Sequence, residues 1–230
     1  MQNETITINN NLEYRDRLTD SNKKVKGYLF SLPPVKSCLN CDSCKSSCYA
    51  LKAYKQYPNV KNLWDSNFNL VKNNLKQLER DLTKQLTKIS FQKKHKRVVR
   101  IHQSGDFYSS DYIRLWIKLA AKFNNILFYG YTKVENYNKE FNMLINQLSS
   151  LDNVNIIESF IKGTKRKNYG NYDYCQRVVE KTKAFICPVN EFNDNQNIHC
   201  GIDRDSKYNR NNATFCDYCF KNNNVVFVQH

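Results

Sequence analysis

The sequence predicts an α/β domain built on parallel strands, with cysteine-rich metal-binding segments at both ends. Three observations lead there. Apolar runs of strand composition alternate with stretches of helical period between residues 58 and 157. Four cysteines crowd into residues 38–48, and four of the remaining five fall between residues 187 and 219. No fixed-period repeat and no linker divides the apolar positions into two blocks. Strand, helix, strand in succession implies parallel pairing through right-handed crossovers. The expected architecture is therefore a (β/α) partial-barrel-like domain over residues 27–230, preceded by a polar arm over residues 1–26.

The elements follow in order. Residues 1–26 are Asn-rich and charged, a composition that suits an extended arm better than a packed element. Tyr28-Leu29-Phe30-Ser31-Leu32 is a short apolar run closed by Pro33-Pro34, read as an extended entry into a metal-binding loop. After Pro58, the residues Val60, Leu63, Trp64, Phe68, Val71, Leu75, Leu78, Leu82 and Leu86 recur every three or four positions, predicting one long amphipathic helix or two in line. Val98 to His102 has strand composition. A helix capped by Ser109 or Ser110 should then bury Tyr112, Leu115, Trp116, Leu119 and Phe123. A strand at Ile126–Tyr131, a helix at Asn138–Ser149 and a strand at Val154–Ile157 continue the alternation. A short helix near Tyr174–Lys181 and strands at Ala184–Ile186 and Val225–Val228 complete the prediction.

The chain has 230 residues, 36 Lys+Arg against 21 Asp+Glu, and a net charge of +15. That length and a 40% hydrophobic share are enough to bury a core, which excludes full disorder. No apolar run approaches the roughly 18 residues that a membrane-spanning helix requires. Met1-Gln2-Asn3-Glu4 does not open a signal peptide. The expectation is a soluble, cytoplasmic protein with no membrane partner. The charge favours an anionic partner such as nucleic acid, although an AT-rich coding genome also enriches Lys and Asn.

Nine cysteines call for a chemical explanation, because reducing compartments rarely keep structural disulfides and an odd number pairs poorly. Cys38, Cys41, Cys44 and Cys48 are spaced C-x2-C-x2-C-x3-C, the bacterial ferredoxin pattern in which tight turns let thiolates wrap a 4Fe-4S cube. Tyr49 stands where ferredoxins have proline. In two-cluster ferredoxins the fourth cysteine serves the other cluster, so Cys48 could belong to a different site from Cys38, Cys41 and Cys44. A four-thiolate structural zinc loop is the competing reading. Cys187, Cys200, Cys216 and Cys219 form a generic four-thiolate set that fits zinc or a second cluster equally. Cys175 reads as a half-buried free thiol, with a role as an alternative cluster ligand the competing reading.

Arg100-Ile101-His102-Gln103-Ser104-Gly105-Asp106 ends a strand in polar residues and a glycine immediately before a helix. Ligands of α/β folds bind at the carboxyl ends of parallel strands. Asp106, His102 and Lys133 are accordingly the candidate catalytic residues, and Gly105 would let a ligand approach the backbone. The bland alternative is a buried hydrogen-bond network that pins the loop.

Leu32-Pro33, Cys38 to Cys48 followed by Tyr49-Ala50, Tyr57-Pro58, Asn67, the residues Arg100 to Asp106 with Phe107, Trp116, Tyr131-Thr132-Lys133, Ile186-Cys187-Pro188, Cys216-x2-Cys219 and the closing Phe227 to His230 occur in an order that resembles the phage gene product 88 family. The likeness runs from about Gly27 to the end of the chain. It implies a protein of phages or other mobile elements, acting in the host cytoplasm, and implies no reaction. A more distant likeness is to radical S-adenosylmethionine enzymes, which carry a 4Fe-4S loop before a long helix and a (β/α) partial barrel. Their cofactor-contacting glycine-rich segment resembles Ser104-Gly105-Asp106 in position, which implies S-adenosylmethionine as a candidate cofactor. They use C-x3-C-x2-C, however, and leave one iron open.

Two basic stretches, Lys93-Lys94-His95-Lys96-Arg97 and Lys165-Arg166-Lys167 with its flanking tyrosines, are candidates for contacting phosphates and unpaired bases. Two functions compete. One is an iron–sulfur enzyme of redox or radical type, holding one or two 4Fe-4S clusters or zinc at the second site and acting on nucleic acid or a nucleotide. The other is a nonenzymatic nucleic-acid-binding protein stapled by structural zinc or iron–sulfur sites. No phosphate-binding glycine loop, hydrolase triad or His-Glu zinc signature is present, so hydrolase readings rank third.

Overall fold

A computed structural model describes residues 16–20, 27–41, 45, 48–134, 137–158, 185–186 and 225–226. In chain order the elements are β1 (Thr19–Asp20), β2 (Tyr28–Phe30), α1 (Tyr49–Gln56), α2 (Pro58–Asn73), α3 (Leu75–Ser90), β3 (Val98–Ile101), α4 (Ser110–Lys122), β4 (Leu127–Thr132), α5 (Lys139–Ser149), β5 (Val154–Glu158), β6 (Phe185–Ile186) and β7 (Val225–Val226). The main sheet has the order β1-β2-β3-β4-β5. β2 to β5 are parallel, and β1 lies antiparallel on the edge of β2. Successive parallel strands are added in one direction without reversal, the winding of (β/α) barrel segments and not of a doubly wound sheet. β6 and β7 pair in parallel as a separate two-stranded sheet.

One face of the sheet carries the core. Phe30, Val99, Ile101, Phe128 and Val154 are buried in one cluster with Leu70 and Val71 of α2, Leu78, Leu82 and Leu86 of α3, Tyr112 and Trp116 of α4, and Leu144 and Leu148 of α5. The strand alternation of period two therefore sends Leu29, Arg100, Tyr129 and Asn155, which are register partners, to the opposite face. Leu29 and Tyr129 are buried there, outside the helix-side core.

The long helical stripe is two helices. The chain breaks at Asn74 (φ −154°, ψ 66°), whose side chain accepts a hydrogen bond from Gln77 N at 3.0 Å and so caps α3. Ser109 and Asn138 cap α4 and α5 in the same way. Short α1 was not expected, because only Ala50 of its eight residues is buried and no apolar stripe marks it.

Part of the polar arm is packed. Arg17 is 2% exposed, its Nε bonds Asp81 Oδ2 at 2.8 Å, and its Nη1 donates to Ser66. The Gln85 side chain accepts from the backbone of Arg17 and Leu18 and donates back to Leu18 O, imitating a strand partner. Asn67 Nδ2 donates to Arg17 O and Ser31 O, joining this segment to the exit of β2. Among the described residues, no helix is long and apolar enough to cross a membrane.

Candidate functional site at the carboxyl end of the parallel sheet

β2 and β3 continue their pairing beyond the strands. Gln103 N donates to Phe30 O at 3.1 Å, and Leu32 N donates to Ser104 O at 2.9 Å. Pro33-Pro34 then opens a series of tight turns, with Lys36 N on Pro34 O, Ser37 N on Pro33 O and Cys38 N on Val35 O, which lifts the chain into the cysteine loop. Cys38, Cys41 and Cys48 are each half-buried. Cys41 O accepts from Lys45 N, and Cys48 is the residue before the first turn of α1.

One side chain of this loop and one from the first turn of α1 bind the strand ends. Asn40 Nδ2 donates to Lys133 O at 2.6 Å, and the Tyr49 hydroxyl donates to Gln103 O. The cysteine loop is thus fastened to both β3 and β4 at their carboxyl ends.

Asp106 organises the same rim. Its Oδ1 accepts from Phe107 N at 2.8 Å and from the Thr132 hydroxyl at 2.7 Å, and its Oδ2 accepts from Lys133 N at 2.8 Å. Burial raises its pKa above the usual carboxylate range, and these hydrogen bonds with the charge of Lys133 oppose the rise. Lys133 therefore receives Asp106 on its amide nitrogen and Asn40 on its carbonyl, linking the acidic loop to the cysteine loop through one residue. Gly105 has φ +83°, and a Cβ there would lie 2.5 Å from Ser37 Oγ and 2.6 Å from Leu32 Cβ. Only glycine lets the loops approach this closely without strain.

His102 is turned away from the strand pattern. Alternation would place it on the face of Arg100, but φ +64° at this residue swings the ring to the helix side, between Phe30, Phe107 and Tyr112. Its Nε2 lies 2.8 Å from the Tyr112 hydroxyl. Burial, helped by the charge of Arg100, lowers its pKa to about 3, so it is neutral at physiological pH. His102 Nδ1 and Ser104 Oγ are buried without a hydrogen-bond partner.

Sequence reasoning missed the sheet face opposite the helices. There the Arg100 guanidinium sits 5.1 Å from the centroid of the Tyr131 ring, and Tyr131 meets Tyr129 edge to face at 6.4 Å. Counting by twos from Val98 would have separated Arg100 from the helix-facing Val99 and Ile101.

The structure brings Asp106, Ser104, Gly105, Lys133 and the cysteine loop together on one rim. Lys93, Lys94, Lys96 and Arg97 sit at the other end of the sheet, where a 3-10 turn over Lys94–Lys96 leads into β3. Cys44, Cys175, Cys187, Cys200, Cys216, Cys219, Lys165, Arg166, Lys167 and the expected helix near Tyr174–Lys181 lie outside the described residues. Among the described residues, no three His, Cys, Asp or Glu side chains gather into a metal-binding group. The first four-cysteine set is described at three of its members, the second at none.

A family model described as Gene product 88 matches residues 4–228. The Gene 88 protein of Mycobacterium phage D29 is 29% identical over 102 residues, a match spanning 40% of this chain and 40% of that curated relative. No solved structure matches.

Proposed function

The chain belongs to the gene product 88 family, and we propose that within it this protein is an iron–sulfur enzyme of redox or radical type, with its substrate site at the carboxyl end of the parallel sheet. One observation carries the reading: Asn40 and Tyr49 fasten the cysteine loop to the strand ends beside Asp106. A loop whose only task was to staple the chain would need no such attachment to the rim where α/β folds bind ligands. The donors suit the group. Cys38, Cys41 and Cys48 are half-buried in a polar loop, whereas a cysteine that fills space packs in an apolar core.

When bound, a 4Fe-4S cluster supplies one-electron transfer. The chain's own residues supply position. Asp106 is engaged at both oxygens by internal donors, so it acts as a positioning residue that holds Lys133 and, through it, Asn40. His102, neutral and enclosed by aromatic rings, sets the course of the loop as the chain leaves β3. Ser104 Oγ and His102 Nδ1 are buried without a hydrogen-bond partner, and of the two the Ser104 hydroxyl, outside the aromatic enclosure of His102, is the better placed to meet a ligand. The net charge of +15 supports a nucleic acid or nucleotide as the substrate class.

The test is anaerobic purification, with iron, sulfide and zinc determined per chain and absorbance and electron paramagnetic resonance spectra taken with and without S-adenosylmethionine. Iron and sulfide in the wild type, with less of both in Asn40→Ala at unchanged circular dichroism, is the expected result. A spectrum perturbed by S-adenosylmethionine would specify the radical type. Zinc alone would sink the reading and leave a structural, stapled nucleic-acid-binding protein.

A further inference from the structure

The end of the sheet remote from the cysteine loop carries a feature that this reading does not use. α3 buries its apolar side chains up to Ile89, yet the next apolar residue, Phe91, is 85% exposed. It begins the segment Phe91-Gln92-Lys93-Lys94-His95-Lys96-Arg97, which contains no acidic residue and in which Lys93, Lys94 and Lys96 are exposed. Lys88 in the last turn of α3 and Lys122 in that of α4 stand at the same end of the sheet, against Asp20 and Asp152.

The backbone of this turn is held firmly. Gln92 Nε2 donates to the Tyr28 hydroxyl and Arg97 Nε to Gln92 O, both at 2.6 Å. Lys96 N and Arg97 N close on Lys93 O and Lys94 O, and Asn125 Nδ2 donates to Ser90 O at 3.1 Å. A turn already fixed in the free protein loses little backbone freedom on binding.

We propose that this turn docks single-stranded nucleic acid, with Lys93, Lys94 and Lys96 against phosphates and the ring of Phe91 stacked on an unpaired base. Charge complementarity selects a polyanion. The exposed ring selects one with accessible base faces. A membrane surface fits less well, because insertion buries several apolar side chains together. The other exposed large apolar residues among those described, Tyr49, Tyr57, Tyr137 and Met143, lie on other segments. The inference does not rest on the iron–sulfur reading, since the turn is remote from the cysteine loop.

The test measures fluorescence anisotropy of a labelled oligo(dT) of about 15 nucleotides, of a duplex of equal length, and of phosphatidylserine vesicles by flotation. Phe91→Ala should weaken oligo(dT) binding by about tenfold, and Phe91→Trp should retain it. The triple change Lys93→Ala, Lys94→Ala and Lys96→Ala should lower the slope of log affinity against log salt by about 2. Metal content should be unchanged in both variants, so failure here is distinguishable from failure of the cluster. The proposal is overturned if both variants bind like wild type, if the duplex binds equally well and ignores Phe91→Ala, or if vesicles bind and oligo(dT) does not.

Discussion

At the carboxyl end of the sheet, His102, Ser104, Asp106 and Thr132 are buried, and all but Ser104 make side-chain hydrogen bonds. Asp106 takes three hydrogen bonds, Lys133 links it to the cysteine loop, and Gly105 lets the loops touch. At the amino end, Lys93, Lys94 and Lys96 are exposed on a turn held by backbone and side-chain hydrogen bonds, and an aromatic ring faces water. A buried polar network is costly to break, because each orphaned donor keeps its desolvation penalty. An exposed charge can be lost with little effect on folding. Chemistry that needs fixed geometry is therefore expected at the first end, and long-range attraction at the second.

Asp106→Ala should break that difference most severely if the reading of the rim is wrong. It strips the acceptor from Phe107 N, the Thr132 hydroxyl and Lys133 N, and relieves only one desolvated carboxylate. A loss of about 3 kcal/mol in urea unfolding is expected; a loss no larger than that of a surface lysine would show that the network carries no weight. Gly105→Ala should cost about 2 kcal/mol, since φ +83° and two contacts near 2.6 Å both oppose a Cβ. If the proposed cluster is bound, iron per chain should fall with it, because the displaced neighbour, Ser37, precedes Cys38.

How much of this was legible depended on whether the signal was local. α4 and α5 were legible because each apolar stripe lies within one stretch of chain, and of the two serines that could cap α4 it is Ser109 that does so. The break at Asn74 was hidden, since Val71, Leu75 and Leu78 continue one stripe across it. Arg17 looked like one more charge in a polar arm; its partner Asp81 lies 64 residues away. The polar strand end that Asp106 closes was readable, but the full commitment of its oxygens to Phe107, Thr132 and Lys133 was not. The turning of His102 was equally hidden, because nothing in the sequence forces a positive φ at a histidine.

The pH dependence of folding sharpens the account of the buried rim. His102 has a folded pKa of about 3, below its ordinary 6.5, so the unfolded chain binds one more proton between those values. Stability should then rise with pH across that window by about 1.4 kcal/mol per pH unit, and be lost as the medium is acidified. Asp106 acts with the opposite sign: its folded pKa is raised, so its part of the stability falls as pH rises through its own window. His102→Gln should flatten the acid limb of a stability-against-pH curve measured by urea unfolding, and Asp106→Asn should steepen it. Parallel curves for wild type and His102→Gln would mean that the ring titrates normally and is not enclosed as described.

The smallest expected effect completes the contrast. Lys93→Ala, Lys94→Ala and Lys96→Ala together should leave the unfolding midpoint and its pH profile where they are, because none of the three ammonium groups is buried. Removing like charges from one turn should make any residual shift favourable and sensitive to salt. A clear destabilisation, persisting in high salt, would mean that these three lysine side chains help to hold the turn, and the contrast between the two ends would fail.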